Sequence, residues 1–385
     1  MRRAGTMFAG TIAAAVLLVI GTVLAEARPS EAGRQEGRYI VVLKDDAPAP
    51  ERSANGMARR YGLGVGFVYS HALKGFSATI PGERLEMVRA DGRVDYVERD
   101  GTMSAVAQRV PWGVDQVEAD TSSTRAGDGG GAVSNVNVYV IDTGIDAGHR
   151  DLNVVNHVNF AGGKNVDCDG HGTHVAGTLS AGDNASAVVG VAPGAPLTGV
   201  KVLGCDGMGS KSRVIEGIDW VTANAQRPAV ANMSLGGAAS RSVDDAVKRS
   251  ANGGVLYSVA AGNEGEDACN HSPARAGAGT DNGIVTTAAT NKSDGERTSS
   301  NYGPCVDLWA PGAGILSTRL GGGTTRMSGT SMAAPHVGGG AALYLSSHPG
   351  ASSSAAESAL RAAAVSPGTT SKDGRTIVFE SVGGF

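Results

Sequence analysis

The apolar positions of the chain fall into three regimes. Residues 7–24, MFAGTIAAAVLLVIGTVL, are almost all apolar or small, and Arg2 and Arg3 precede them. With the small residues Ala25 and Ala27 behind it, this run predicts a secretory signal peptide over residues 1–25. The alternative is an uncleaved anchor, since those 18 residues just suffice to span a bilayer. No other stretch of the sequence stays apolar for long enough. In residues 26–104 the apolar runs are short and set among charges. They read strand (RYIVVLK), helix (around 51–61), strand (GFSATI), helix (RLEMVRA) and strand (VDYVER), a compact α+β unit.

From residue 105 onward the pattern changes. VNVYVID, TGVKVLG, AVANMSLGG, VLYSVAAGN, GIVTTAA and VDLWAPG are short apolar runs bounded by Gly, Asp, Asn or Pro. Helical patterns lie between several of them, such as SRVIEGIDWVTANA with Val214, Ile218 and Val221 on one face. Strands alternating with helices predict an α/β domain with a mainly parallel sheet covered on both faces. In such sheets the chemistry gathers at the carboxyl ends of the strands. TIVFESVGGF reads as the last strand of this domain, and no further domain is expected after it. No internal repeat is present.

Charge sharpens the second boundary. Residues 26–104 hold 12 acidic and 12 basic residues, whereas the much longer 105–385 holds 25 and 19. The small segment is therefore far more densely charged, and the two read as different polypeptides. At 41% hydrophobic and 18% charged, the 385-residue chain can bury a real core, which excludes disorder. Its 58 glycines follow no three-residue period, which excludes collagen. A net charge of −4 gives no footprint for nucleic acid.

The four cysteines, Cys168, Cys205, Cys269 and Cys305, all lie in the large segment of a chain that reads as exported. Disulfides are then expected, and three pairings are open. Zinc is disfavoured, because no C-x2-C spacing occurs.

Three short motifs carry chemistry: Asp142-Thr143-Gly144, Gly170-His171-Gly172-Thr173-His174, and Gly329-Thr330-Ser331-Met332-Ala333-Ala334-Pro335-His336. Small residues around Ser331 let the backbone turn sharply, and the helical pattern after it places the hydroxyl near a helix N-terminus, where N–H groups face developing negative charge. A hydroxyl needs a base to become a nucleophile. His171, between glycines at the start of another helix, is suited to that task. A carboxylate at a strand end, Asp142, can hold the imidazole in one tautomer. His174, on the same helix, reads as a packing or backbone-bonding residue, and His336 as a buried structural one. Gly127-Asp128-Gly129-Gly130-Gly131 reads as a surface turn rather than a phosphate loop, because no Lys-Ser/Thr follows it.

These motifs resemble those of the subtilisin-like serine proteases, most closely the proteinase K and aqualysin branch. VYVIDTGID, GHGTHVAGT, NMSLGG, AAGN, SNYG, APG and SGTSMAAPH follow one another in the family's order through most of residues 111–345. The resemblance implies a subtilisin-like three-layer domain over 105–385. It implies that Asp142 orients the imidazole, His171 is general base and then acid, and Ser331 is the nucleophile. Asn263 would donate to the oxyanion beside the Ser331 N–H. Ser234, Leu235, Gly236 and Gly237 on one side, and Gly207, Met208 and Gly209 on the other, would pair with the substrate backbone. Ala260, Ala261 and Gly262 would wall a primary pocket open to apolar or aromatic side chains. The resemblance also implies the pairings Cys168–Cys205 and Cys269–Cys305. YIVVLKD, HALKGFSATI and DYVERDG resemble the inhibitory propeptide of these enzymes, a small α+β (ferredoxin-like) unit over 26–104, cut autocatalytically near Ala105.

The chain departs from the family in places. The resemblance implies no cofactor for catalysis and leaves a structural calcium open, because Asn291, with Asp294 nearby, stands where an aspartate ligand is usual. Asp115, Glu118 and Asp120 are a second candidate or a solvated edge. Lys211 and His271 replace tyrosines at the cleft rim and near the pocket floor, and Lys211 is expected to favour acidic side chains a few residues before the scissile bond. An aspartic protease would need two acidic motifs or a dimer, and the sequence holds one DTG. A catalytically dead binding protein would not need the full set of motifs, and an inhibitor alone would not need the large segment. The expectation is a secreted, extracellular, monomeric serine endopeptidase. It acts on proteins and peptides, binds its own propeptide, and has no membrane partner after signal cleavage.

Overall fold

The computed structural model describes residues 36–101 and 108–385. The expected signal peptide and the expected cut near Ala105 lie outside the described residues. The chain divides between Ser104 and Ala105 into two compact units.

The small unit runs β1 (Gly37–Leu43), α1 (Pro50–Tyr61), β2 (Gly64–Tyr69), β3 (Gly75–Ile80), α2 (Leu85–Arg89) and β4 (Val94–Arg99). Its antiparallel sheet has the order β2-β3-β1-β4. Val41, Leu43, Phe76, Ala78 and Ile80 close against Ala54 and Met57 of α1 and Val88 of α2. Pro50 starts α1 and Gly62, at φ 70°, ends it, the asymmetry expected of proline and glycine at helix ends. Strand β2 was not anticipated from sequence. Its stretch GVGFVY carries two glycines and is mostly exposed, so no alternation of buried and exposed positions marks it.

The large unit opens with α3 (Trp112–Gln116), followed by β5 (Asn137–Asp142), β6 (Val154–Asn159), α4 (His171–Ser180), β7 (Leu197–Lys201) and α5 (Lys211–Asn224). It continues with β8 (Ala229–Met233), β9 (Gly237–Ala238), α6 (Arg241–Asn252), β10 (Val255–Ala260), β11 (His271–Ser272) and β12 (Ile284–Thr290). It closes with β13 (Leu308–Pro311), β14 (Ile315–Thr318), β15 (Thr324–Met327), α7 (Thr330–Ser347) and α8 (Ser353–Ala363). Seven parallel strands form the main sheet in the order β13-β12-β10-β8-β5-β7-β6.

Alternate residues of one strand serve opposite layers. Val138 and Val140 of β5 enter the core with α4 and α7, while Tyr139 and Ile141 enter the core with α5 and α6. Both faces are apolar because both are covered, which is why these strands read as continuous runs. The chain leaves β5, visits β6 and β7 on one side, then crosses to β8 and β10 on the other. The carboxyl ends of β5 and β8 flank that switch point, where a crevice opens. The expected C-terminal strand is corrected. TIVFESVGGF forms only isolated bridges, Thr376 with Thr370 and Phe379 with Trp309 and Val365. Among the described residues no helix is long and apolar enough to cross a membrane.

Candidate active site

Asp142 is the last residue of β5 and fully buried. His171 is the first residue of α4, behind Gly170 at φ 102°. The imidazole Nδ1 lies 2.8 Å from Asp142 Oδ1, which also accepts the Thr143 N–H at 2.7 Å. Burial of the ring opposes its charge. The Asp142 carboxylate, through its charge and its hydrogen bond, with Asp169 and Asp167 adding to it, outweighs burial and raises the imidazole above its ordinary value. His174 and His336 lack such a partner, and burial pushes both down to about 4. His174 Nε2 meets the Ile315 carbonyl at 3.0 Å and His336 Nδ1 the Met332 carbonyl at 2.8 Å, as their structural reading requires.

Ser331 is the second residue of α7. Pro335, four residues on, has no N–H to give the Ser331 carbonyl. That carbonyl instead accepts Ser234 Oγ at 2.8 Å, while Ser331 Oγ donates to the Ser234 carbonyl at 3.1 Å. The reciprocal pair ties the start of α7 to the segment after β8. No hydrogen bond joins His171 Nε2 to Ser331 Oγ; the hydroxyl must leave the Ser234 carbonyl to reach the imidazole. Catalytic contacts are often open in an unliganded site. The Ser331 N–H makes no hydrogen bond to another described residue. Asn263 accepts the Thr330 N–H through Oδ1 at 2.9 Å, and its Nδ2 has no protein acceptor among the described residues.

Two adjoining cavities share Ser234, Leu235, Gly236 and Gly237. The larger, ≈ 390 Å³, runs past His171, Gly207, Met208, Gly209 and Lys211. The smaller, ≈ 150 Å³, is lined by Ala260, Ala261, Gly262, Asn263, His271 and Ser331. Ser234–Gly236 lie between β8 and β9 and belong to neither strand. Gly207 sits at φ 71°, in a turn where Gly204 N–H donates to the Met208 carbonyl at 2.8 Å, and Met208 is 71% exposed. The structure thus brings the residues singled out for catalysis and substrate binding to one continuous depression, with Asp142 buried beneath it behind His171.

Sequence reasoning missed the supports beneath it. Asp167 is buried and gathers five donors: Thr143 Oγ1, the N–H groups of Asp169, Gly170 and Thr173, and Thr173 Oγ1. Lys201 is 1% exposed and donates to the carbonyls of Thr143 and Leu203 at 2.7 and 2.8 Å, holding the chain that follows Asp142. The disulfides, by contrast, were anticipated from the resemblance: Cys168 bonds Cys205, and Cys269 bonds Cys305. The first bridge joins the approach to His171 to the turn carrying Met208.

Three of the side chains considered for calcium carry hydrogen bonds of their own. Asn291 Oδ1 accepts the N–H groups of Ser293 and Gly295, Asp294 accepts Gln116 Nε2, and Glu118 accepts Ser381 Oγ. Among the described residues no cluster of three His, Cys, Asp or Glu could hold a metal.

A parallel α/β domain with an Asp–His pair and a helix-borne serine at its switch point has the architecture of a serine hydrolase. The model of the subtilase family (Peptidase S8) matches residues 133–383, and that of the peptidase inhibitor I9 matches residues 38–105. An extracellular serine proteinase of Thermus sp. (strain Rt41A) is 42% identical over 357 residues, covering 84% of each chain. Alkaline serine exoprotease A of Vibrio alginolyticus is 40% identical over 371 residues, covering 87% of this chain; the chain spans 64% of that protein's length. The crystal structure of a cold adapted subtilisin-like serine proteinase superposes with a TM-score of 0.63 at 39% identity, over 70% of this chain and 97% of the other. The chain belongs to the subtilase family of serine proteases, and its N-terminal unit is an I9 inhibitor propeptide.

Proposed function

We propose that this protein is a secreted serine endopeptidase that cuts itself free of its propeptide and then hydrolyses proteins through Asp142, His171 and Ser331. The observation that carries this reading is the Asp142–His171 pair at the same cleft as a serine whose own N–H and a neighbouring amide, Asn263 Nδ2, find no acceptor among the described residues. His171 Nε2 takes the Ser331 proton as Oγ bonds to the scissile carbonyl carbon. The resulting oxyanion accepts the Ser331 N–H and Asn263 Nδ2. The C–N bond breaks, and the amine leaves with the proton from His171. Water then attacks the acyl-enzyme, again giving a proton to His171, which passes it to Ser331 Oγ as the C–Oγ bond breaks and the carboxylic product departs.

The substrate backbone lies extended between Ser234–Gly237 and Gly207–Gly209, gaining main-chain hydrogen bonds with little side-chain selectivity. The small walls Ala260, Ala261 and Gly262 admit an apolar or aromatic side chain before the scissile bond. Residues 1–25 direct export, 26–104 form the inhibitory propeptide, and 105–385 act as a monomer outside the cell, with no catalytic cofactor. A fluorophosphonate followed by peptide mass mapping tests the reading. Modification of Ser331 with loss of casein hydrolysis is expected. Undiminished activity, or modification of another residue with the same loss, would contradict it.

A further inference from the structure

One half-buried imidazole near the catalytic pair takes no part in the chemistry above. His157 stands on β6, an edge of the main sheet, opposite Gly199 of β7. Its ring reaches across β7 to the backbone that follows β5, where Nε2 accepts the Ile145 N–H at 3.0 Å. Two glycines leave room for it. A Cβ on Gly199 would stand 2.8 Å from Nε2, and so would one on Gly144, whose φ of 104° already disfavours a side chain. Asn165 fixes the tautomer. Its Nδ2 donates to the His157 carbonyl at 2.8 Å, which leaves its Oδ1 to face the ring Nδ1 at 2.6 Å. Nδ1 therefore carries the proton and Nε2 is the acceptor.

The bond from Ile145 secures the turn Thr143-Gly144-Ile145. That turn gives the Thr143 N–H to Asp142 Oδ1 at 2.7 Å, and Thr143 Oγ1 accepts the Gly172 N–H at 3.0 Å, one residue past His171. Both members of the catalytic pair thus rest on a turn that His157 anchors. We infer that His157 is a positioning residue for the reaction, whose neutral imidazole anchors the turn after Asp142 and so keeps Asp142 and His171 aligned for proton transfer. This rests on the peptidase reading above and deepens it. A protonated ring would set its own N–H against the Ile145 N–H, and the anchor would be lost. The charged groups facing the ring are Lys201 from β7 and Asp167 from the segment before α4. Burial, with the Lys201 charge adding to it, outweighs the Asn165 hydrogen bond and the Asp167 charge and holds the imidazole below its ordinary value. His171 is raised, so as pH falls it gains its proton first and His157 gains the second.

The test uses the mature enzyme, one peptide substrate and two variants. His157→Leu removes the acceptor, whereas His157→Gln keeps an amide oxygen within reach of the Ile145 N–H and cannot take up a proton. On the alkaline plateau the leucine variant should lose on the order of 10-fold in kcat with KM little changed, because the anchor lies beneath the reacting groups rather than in the substrate groove. The glutamine variant should recover most of that loss. On the acid side, log kcat/KM of wild type should fall with a slope of about one and then steepen toward about two, whereas the glutamine variant should keep a slope of about one throughout. The same acid slope in wild type and glutamine variant, or a leucine variant with wild-type kcat, would overturn the inference. If the leucine variant does not mature, the slopes alone decide. A wild-type enzyme that leaves the peptide intact at every pH would overturn the peptidase reading, and this inference with it.

Discussion

The floor of the cleft and its rim are built in opposite ways. The floor is buried and tied from several directions. Asp142 is fully buried at a strand end, His171 and Ser331 open helices, and Asp167 and Lys201 bind the backbone around them. The rim is exposed and held at a few points. Met208 is 71% exposed, and its turn is held by the Cys168–Cys205 bridge, two backbone hydrogen bonds and the Asp206 carboxylate. A floor must present reacting groups within tenths of an ångström, whereas a rim that binds backbone needs only edges and room. Chemistry should therefore be sensitive to single changes on the floor, and selectivity should yield to changes on the rim.

The sharpest way to break this contrast is to remove the base. His171→Ala should lower kcat by about 10⁶-fold, the scale measured in subtilisin itself, a relative, with little change in KM for a peptide substrate. A loss below a hundredfold in steady-state hydrolysis would show that the base lies elsewhere. Asp142→Asn should cost about 10⁴-fold, the figure for the analogous change in another serine protease. It should also move the pH profile. The carboxylate holds the imidazole above its ordinary value, and the reaction needs the neutral ring. Wild-type kcat/KM therefore rises with pH through that raised value. Without the carboxylate the proton leaves sooner and the rise shifts to lower pH; a rise that stays in place would count against the pairing.

Asn263→Ala should lower kcat by roughly 10²–10³-fold at unchanged KM, a magnitude again known from subtilisin. A change confined to KM would remove Asn263 from the oxyanion role.

Effects on the rim should be smaller and of a different kind. Replacing Cys168 and Cys205 with Ser opens a bridge spanning 37 residues. The thermal midpoint should fall, with a stability loss of about 2–5 kcal/mol, and KM should rise more than kcat falls. An unchanged KM would mean the bridge supports the fold alone. Lys211→Glu is the mildest. It should reverse a preference of about 5-fold for acidic over basic side chains a few residues before the scissile bond. Equal cleavage of both peptides by wild type would remove the preference.

The same contrast governs what could be read from sequence. DTG, HGTH and SGTSMAAP are short because each sits on one element end, so the local chain already shows the small residues and the turn. Even Pro335, which frees the Ser331 carbonyl, lies within its motif. Asp167 and Lys201 were silent because each reaches across to Thr143 at the end of β5, a contact no local pattern shows; a lysine within the apolar run TGVKVLG was the one available hint. Central strands were legible as apolar runs because both faces are covered. Strands β2 and β6 are sheet edges with exposed positions, and glycine in one and asparagine and histidine in the other interrupt their apolar residues. The C-terminal segment misled in the other direction, since Ile377 and Phe379 are apolar to fill a core rather than to form a strand.

The central claim is that Ser331 performs the chemistry, first on the chain itself. The most direct measurement is the intact mass of the exported product, wild type against Ser331→Ala. The account predicts a wild-type chain beginning near Ala105 and a variant still joined to its propeptide. If both mature alike, the cut is made by something other than Ser331, and the claim fails.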